Sequence, residues 1–350
     1  MMKYYNIPIF VPHKGCPHDC VFCNQKRITG KTDEVDEKII ADTIEKYLKT
    51  LPKNSEDTRV EVAFFGGSFT GIEMDMQQRF LNTAYKYVQT GEVYGIRLST
   101  RPDYINDEIL EQLKKYGVTT IELGVQSMVD DVLEESNRGH TSEDVEKAVL
   151  MIKKYGFSLG LQMMTGLPGD TYQKSVETAD RIIALKPDFV RIYPTLVLKD
   201  TKLEDMYESG EYIPSSVEDS VILCKELLKR FNKSDIKVIR ISLQTTDEIS
   251  KNGSVIAGPF DEQFRELVEN EIYFDEIYSK LKEIKCISPT VLVNNRELSK
   301  AVGRKRKNIE RLSEKLGCEV KIKPADDVKK GWFVVYNGVE REGQYCISKD

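Results

Sequence analysis

Between residues 60 and 241 the chain alternates short apolar runs with longer stretches in which apolar residues recur at helical spacing. The runs at 60–65, 95–99, 120–124, 158–163, 189–194 and 237–241 are bounded by Gly, Pro or Ser and have strand length. Between them, 107–115, 142–155 and 172–185 predict helices, with Ser142 and Glu143 at one start. This repeat predicts an α/β protein whose mostly parallel sheet closes into a partial or complete barrel. In such sheets the chemistry sits at the C-terminal ends of the strands, so the residues just after each run are the informative ones. A Pro, Gly and Asn scatter from 252 to 259 closes the region. The helical stretch 261–284 is expected to pack back on the barrel, and a separate unit is expected from Ser288-Pro289 onward.

The length of 350 residues allows one large core plus a small second domain, here drawn as 1–284 and 285–350. With 51 basic and 57 acidic residues the net charge is −6, which argues against a uniformly basic nucleic-acid coat. No run approaches the roughly 18 apolar residues of a membrane span, and residues 1–12 lack the pattern of a secretory signal. A cytoplasmic protein with no membrane partner is expected. Seven cysteines are an odd number, and three of them fall within eight residues, which in a reducing compartment favours a metal site over disulfides.

Those three, Cys16, Cys20 and Cys23, form CxxxCxxC. Three thiolates on a [4Fe–4S] cluster leave one iron without a protein ligand, open to a small molecule. A structural zinc site closed by His13 or His18 is the alternative, since zinc prefers four ligands. Phe22, directly before the last cysteine, is either a ring for stacking on adenine or a core aromatic.

The spacing, with its aromatic, resembles the radical S-adenosylmethionine superfamily, which implies a partial (β/α) barrel with the cluster after a first strand, here 6–11. Gly66-Gly67-Ser68-Phe69 stands where that superfamily has its Gly-Gly-Glu motif, and paired glycines let a backbone approach a ligand. The segments Ser99-Thr100-Arg101-Pro102-Asp103, Glu122 to Ser127, Asn137-Arg138-Gly139-His140, Gly166 to Asp170 and Arg191 to Thr195 extend the resemblance to the radical domain of Elongator catalytic subunits, over residues 5–245. By that resemblance Phe22, Gly66, Gly67, Ser68, Ser99, Arg101, Gln126 and Arg138 bind S-adenosylmethionine, and Cys16, Cys20 and Cys23 bind the cluster. Alternatively, Arg101 and Arg191 pair with a carboxylate such as Glu122, and 166–169 only shapes a turn. Tyr193, Gln162 and Arg191 at later strand ends are the expected catalytic residues. The chain departs from those subunits in its tight CxxxC and in having no length for an acetyltransferase domain, which leaves acetyl-CoA an open partner.

From 285 to 330 there are 13 Lys plus Arg against 6 Asp plus Glu, densest at Arg304, Lys305, Arg306 and Lys307. Helices at 295–302 and 308–316 flank this loop, a strand at 319–323 follows, and Trp332, Phe333 and Tyr336 suit the core of a last strand. Helix, basic glycine loop, helix, strand resembles the small α+β KH domain, implying that the loop grips an RNA backbone, although Arg306 replaces the second glycine of GxxG. A solvated basic turn is the alternative. Together the resemblances imply a [4Fe–4S] enzyme that splits S-adenosylmethionine, takes electrons from a donor such as ferredoxin or flavodoxin, and modifies RNA, with tRNA the expected substrate. A radical enzyme for a small metabolite, or a non-catalytic RNA-binding protein with a metal staple, are the competing functions.

Overall fold

A computed structural model describes residues 3–11, 20–23, 35–244, 249–250 and 253–347. The chain divides into two compact units, residues 1–215 with 236–260, and residues 216–235 with 261–350.

In the first unit, β1 (Lys3–Val11), β2 (Thr58–Gly66), β3 (Gly95–Thr100), β4 (Val118–Gln126), β5 (Ser158–Thr165), β6 (Phe189–Pro194) and β8 (Lys237–Ile241) form one seven-stranded sheet in that spatial order. Every neighbouring pair is parallel. Because the spatial order follows the chain order, the sheet winds one way without a switch point, and it curls into a half-barrel with edges at β1 and β8. The helices of this winding are α1 (Glu37–Leu48), α2 (Met74–Gln89), α3 (Asp107–Lys115), the short α4 (Asp130–Glu135), α5 (Ser142–Tyr155) and α6 (Tyr172–Ala184). A two-stranded antiparallel ribbon of β7 (Val197–Leu198) and β9 (Val255–Ala257), with α7 (Lys202–Glu208), follows β6.

The period-2 alternation of the strands separates two chemistries. Val60, Val62, Phe64, Ile96, Leu98, Ile121, Leu123, Leu159, Leu161, Val190 and Ile192 are all buried, forming the apolar face. The residues between them, Glu61, Arg97, Glu122, Gln162 and Arg191, belong to the opposite, interior face. Helix starts are fixed by side-chain caps: Asp36 before α1, Asn106 before α3 and Thr171 before α6 each accept a bond from a first-turn amide. The helix α5 begins at the expected Ser142, and its cap is Thr141, in a reciprocal box with Asp144.

The second unit comprises α8 (Val217–Lys233), α9 (Phe264–Glu283), β10 (Pro289–Asn294), α10 (Leu298–Val302), α11 (Lys307–Leu316), β11 (Lys321–Ala325), β12 (Trp332–Asn337) and β13 (Glu340–Cys346). Its sheet order is β11-β10-β12-β13, with β10 and β11 parallel and the other pairs antiparallel. The stretch expected to pack back on the barrel belongs here instead. Tyr273, Phe274, Ile277 and Leu281 of α9 join Val291, Val293, Leu312, Phe333 and Val335 in one core. The unit therefore includes 216–235 and starts again at 261, not at 285, because an amphipathic pattern reveals a buried face but not the surface that covers it. No helix among the described residues is long and apolar enough to cross a membrane.

Candidate active site

Cys16, His13 and His18 lie outside the described residues; Cys20 and Cys23 are within them. Cys20 is buried and Cys23 half-buried, and the Cys23 amide donates to the Cys20 carbonyl at 3.0 Å, so the two thiols sit on one tight turn. Main-chain bonds hold this turn on both sides: the Val21 amide donates to the Ser136 carbonyl after α4 (3.2 Å), and the Val21 carbonyl accepts from the Leu203 amide in α7 (2.8 Å). Phe22 is half-buried against Val21, Val197, Leu203 and Tyr212, so at least part of its surface serves packing.

The strand ends carry the other expected residues. Gly66 closes β2 at φ 105°, a backbone region that side chains strongly disfavour. The Gly67 amide donates to the Val11 carbonyl at 3.4 Å, and Ser68 is buried. Ser99 ends on β3 with its Oγ buried and without a hydrogen-bond partner among the described residues. Gln126, at φ 66°, likewise has a buried Oε1 without a partner. Arg101 and Arg138 are deeply buried and engaged with the protein. Arg101 forms a two-pronged bond to Asp103 (Nε–Oδ1 2.9 Å, Nη2–Oδ2 3.0 Å) and donates to the Arg138 carbonyl (2.6 Å). Arg138 donates to the Gly124 carbonyl (2.7 Å) and to Cys20 Sγ (3.4 Å). The alternative of a carboxylate partner for Arg101 holds, and that carboxylate is Asp103, two residues along the chain, rather than Glu122.

For Arg191 that expectation of Glu122 matches the geometry. Glu122, with no exposed surface, accepts Arg191 Nε and Nη2 (2.6 and 3.1 Å), Arg97 Nη1 (3.0 Å) and Gln162 Nε2 (3.2 Å). Arg97 also meets Glu61 (2.8 Å), whose other oxygen takes the hydroxyls of Thr119 and Thr120. Burial opposes the charge on Arg191, but Glu122 outweighs it and raises the guanidinium pKa. Tyr193 hydroxyl lies 3.5 Å from Arg191 Nη1, and burial, despite Arg191, holds its phenol above the usual range and therefore protonated. Thus Tyr193, Gln162 and Arg191 are brought together, with two of the three committed to Glu122. The strand interior signalled this network: charged residues inside otherwise apolar runs must find partners when buried.

His140 completes the motif after α4. Its Nε2 faces the Val125 carbonyl at 3.3 Å, and its Nδ1 is buried without a partner among the described residues. Burial, followed by Arg138 and Arg101, pushes its pKa down to about 3, with Asp103 opposing. Because the folded protein disfavours the imidazolium, acidification from pH 6.5 towards 3 should cost stability, at about 1.4 kcal/mol per pH unit inside that window. His140→Gln should lose this slope relative to wild type; equal slopes in urea unfolding at pH 7, 6 and 5 would show that His140 titrates normally. The Gly166 to Asp170 segment is a turn: Asp170 accepts from the Gly166 amide (2.8 Å) and Ser175 hydroxyl (2.7 Å).

The family model for the radical SAM superfamily matches residues 10–182, and that for its C-terminal domain matches residues 187–273. The chain belongs to the radical SAM superfamily. It is 29% identical over 253 residues to the tRNA uridine(34) acetyltransferase of Methanocaldococcus jannaschii, covering 61% of this chain and 47% of that protein. It is 32% identical over 190 residues to human Elongator complex protein 3, covering 49% of this chain and 35% of that protein. The chain thus spans half or less of these relatives. The structure of archaeal Methanocaldococcus infernus Elp3 with an N-terminal deletion shares the fold, at a TM-score of 0.61 and 22% identity over 85% of this chain and 68% of that one.

The cofactors of a radical SAM protein are a [4Fe–4S] cluster and S-adenosylmethionine, and the residues present fit them. Two thiols share a turn on which the Cys20 sulfur accepts from Arg138, and β3 and the end of β4 carry two buried oxygens, Ser99 Oγ and Gln126 Oε1, without a hydrogen-bond partner among the described residues.

In the second unit, the loop of Arg304, Lys305, Arg306 and Lys307 joins α10 to α11, and all four residues are exposed. Gly303 must be glycine because an added Cβ would sit 2.8 Å from Asn308 Cγ. Asn308 is buried and donates to the Asn270 carbonyl at 2.8 Å, anchoring the loop to α9. Arg306 stands at the second glycine position of GxxG and still adopts the left-handed backbone (φ 65°), as does Lys305 (φ 53°), each at a cost of roughly 1–2 kcal/mol. The loop therefore keeps the backbone that glycine would have made easy. Arg304 pairs with Asp261 at 2.7 Å.

Proposed function

We propose that this radical SAM protein modifies a base of RNA, with tRNA as the substrate class. The observation that carries the catalytic half is the Cys20–Cys23 turn, linked to the end of β4 through Arg138, together with the buried oxygens of Ser99 and Gln126, which have no partner among the described residues. When bound, the cluster and S-adenosylmethionine supply a radical able to abstract hydrogen from a substrate carbon. In this reading Cys16, Cys20 and Cys23 hold the cluster, Gly66, Gly67 and Ser68 give backbone room, and Ser99 and Gln126 accept hydrogen bonds from S-adenosylmethionine. Phe22 contributes its free face, and Arg101 braces Arg138 from behind. Tyr193 orients substrate with a phenol that stays protonated, while Arg191 and Gln162 fix Glu122 and keep the interior charge balanced. An external donor of the ferredoxin or flavodoxin kind delivers the electron.

The RNA half rests on the basic loop and on the tRNA uridine(34) acetyltransferase among the relatives. Phosphate contacts make binding salt-dependent. Lys305→Glu combined with Arg306→Glu should weaken tRNA binding and lower the salt slope by about 2, one for each lost phosphate contact. Filter binding across a salt series reads this directly. Unchanged affinity and slope would remove the loop from the RNA interface.

A further inference from the structure

We infer that Arg138 is a positioning residue that sets how readily the cluster takes up its electron, by donating a hydrogen bond to the sulfur of Cys20. This rests on the reading of Cys20 as a cluster ligand. Nη1 of Arg138 lies 3.4 Å from Cys20 Sγ, and both residues are more than nine-tenths buried. The guanidinium has little freedom to leave. Its Nη2 is tied to the Gly124 carbonyl (2.7 Å), its main-chain carbonyl is held by Arg101 (2.6 Å), and its amide donates to the Leu133 carbonyl (2.9 Å). Arg101 in turn is clamped by Asp103. Four residues from three segments thus aim one guanidinium at one sulfur.

The consequence follows from charge. One-electron reduction makes a cluster one unit more negative, and a fixed cation with an N–H on a ligand sulfur stabilises that form over the oxidised one. Burial strengthens the effect, because water does not screen the pair. Arginine keeps its proton at any working pH, so the bias is constant, unlike one supplied by histidine.

The test is a redox titration of the reconstituted full chain with dithionite and mediators, without S-adenosylmethionine, read by the electron paramagnetic signal of the reduced cluster. Arg138→Gln should disfavour reduction on the order of tenfold, the usual weight of a hydrogen bond to a charged group, which is 59 mV downward for one electron. Arg138→Lys, keeping the charge but not the fork, should fall between. Gly124→Ala keeps the arginine but places a Cβ 2.8 Å from its Nη2 and 3.1 Å from Gln126 Nε2, so it should push the guanidinium aside and shift the potential the same way by less. If Arg138→Gln loads no cluster, Gly124→Ala decides. Loaded variants with an unchanged potential would overturn the inference while leaving Cys20 as ligand intact. A full cluster in Cys20→Ala would instead overturn the reading beneath it.

Discussion

Glu122→Leu is expected to destabilise the barrel by about 3–5 kcal/mol, the cost of leaving buried charge without its partner. Glu122 is wholly buried and takes hydrogen bonds from Arg97, Arg191 and Gln162 on three strands. Arg97 would retain Glu61, but Arg191 would lose the carboxylate that offsets its burial. The penalty therefore belongs to Arg191 more than to the missing side chain. Adding Arg191→Met to Glu122→Leu should recover a large part of the loss, since an apolar pair of similar volume often replaces a buried ion pair without cost. Denaturant midpoints of the two single variants and the double variant measure this coupling. A Glu122→Leu loss below about 1 kcal/mol would mean that the interior is solvated and the network contributes little.

Cys20→Ala should abolish cluster binding, and with it all cleavage of S-adenosylmethionine, because the remaining thiols of the motif cannot hold three irons. Cys20 also anchors Arg138, so the same substitution removes the sulfur that the guanidinium faces. Cys286→Ser, in the second unit, should keep full iron and sulfide content. Chemical iron and sulfide analysis after anaerobic reconstitution distinguishes the two. Equal iron in both variants would detach the CxxxCxxC segment from the metal.

Six of the seven parallel strands were legible because each is a continuous or alternating apolar run with a punctuated end, whereas β1 followed only from the resemblance, and the observed bounds differ from the expected ones by only a few residues. The β7, β9 and β13 strands were not. The first two are only two and three residues long, and β13 is a largely exposed strand of sequence EREGQYC, without an apolar face to announce it. The helices at 217–233 and 264–283 each show a buried face, but their partners are far away in sequence, so the pattern alone does not say which unit they join. In the site, residue identities pointed to chemistry and to the Arg191–Glu122 pair, but the other pairings did not follow from them. That Arg138 would reach a cysteine 118 residues earlier depends on how distant segments converge, which a one-dimensional pattern does not carry.

On the proposed reading, this radical SAM protein cleaves S-adenosylmethionine in the service of an RNA substrate. Anaerobic formation of 5′-deoxyadenosine by the reconstituted full chain, with reductant and with or without total tRNA, tests it most directly. The account predicts formation that rises several-fold when tRNA is present. Formation indifferent to tRNA would contradict the RNA assignment, and none at all from a fully loaded cluster would contradict the enzyme itself.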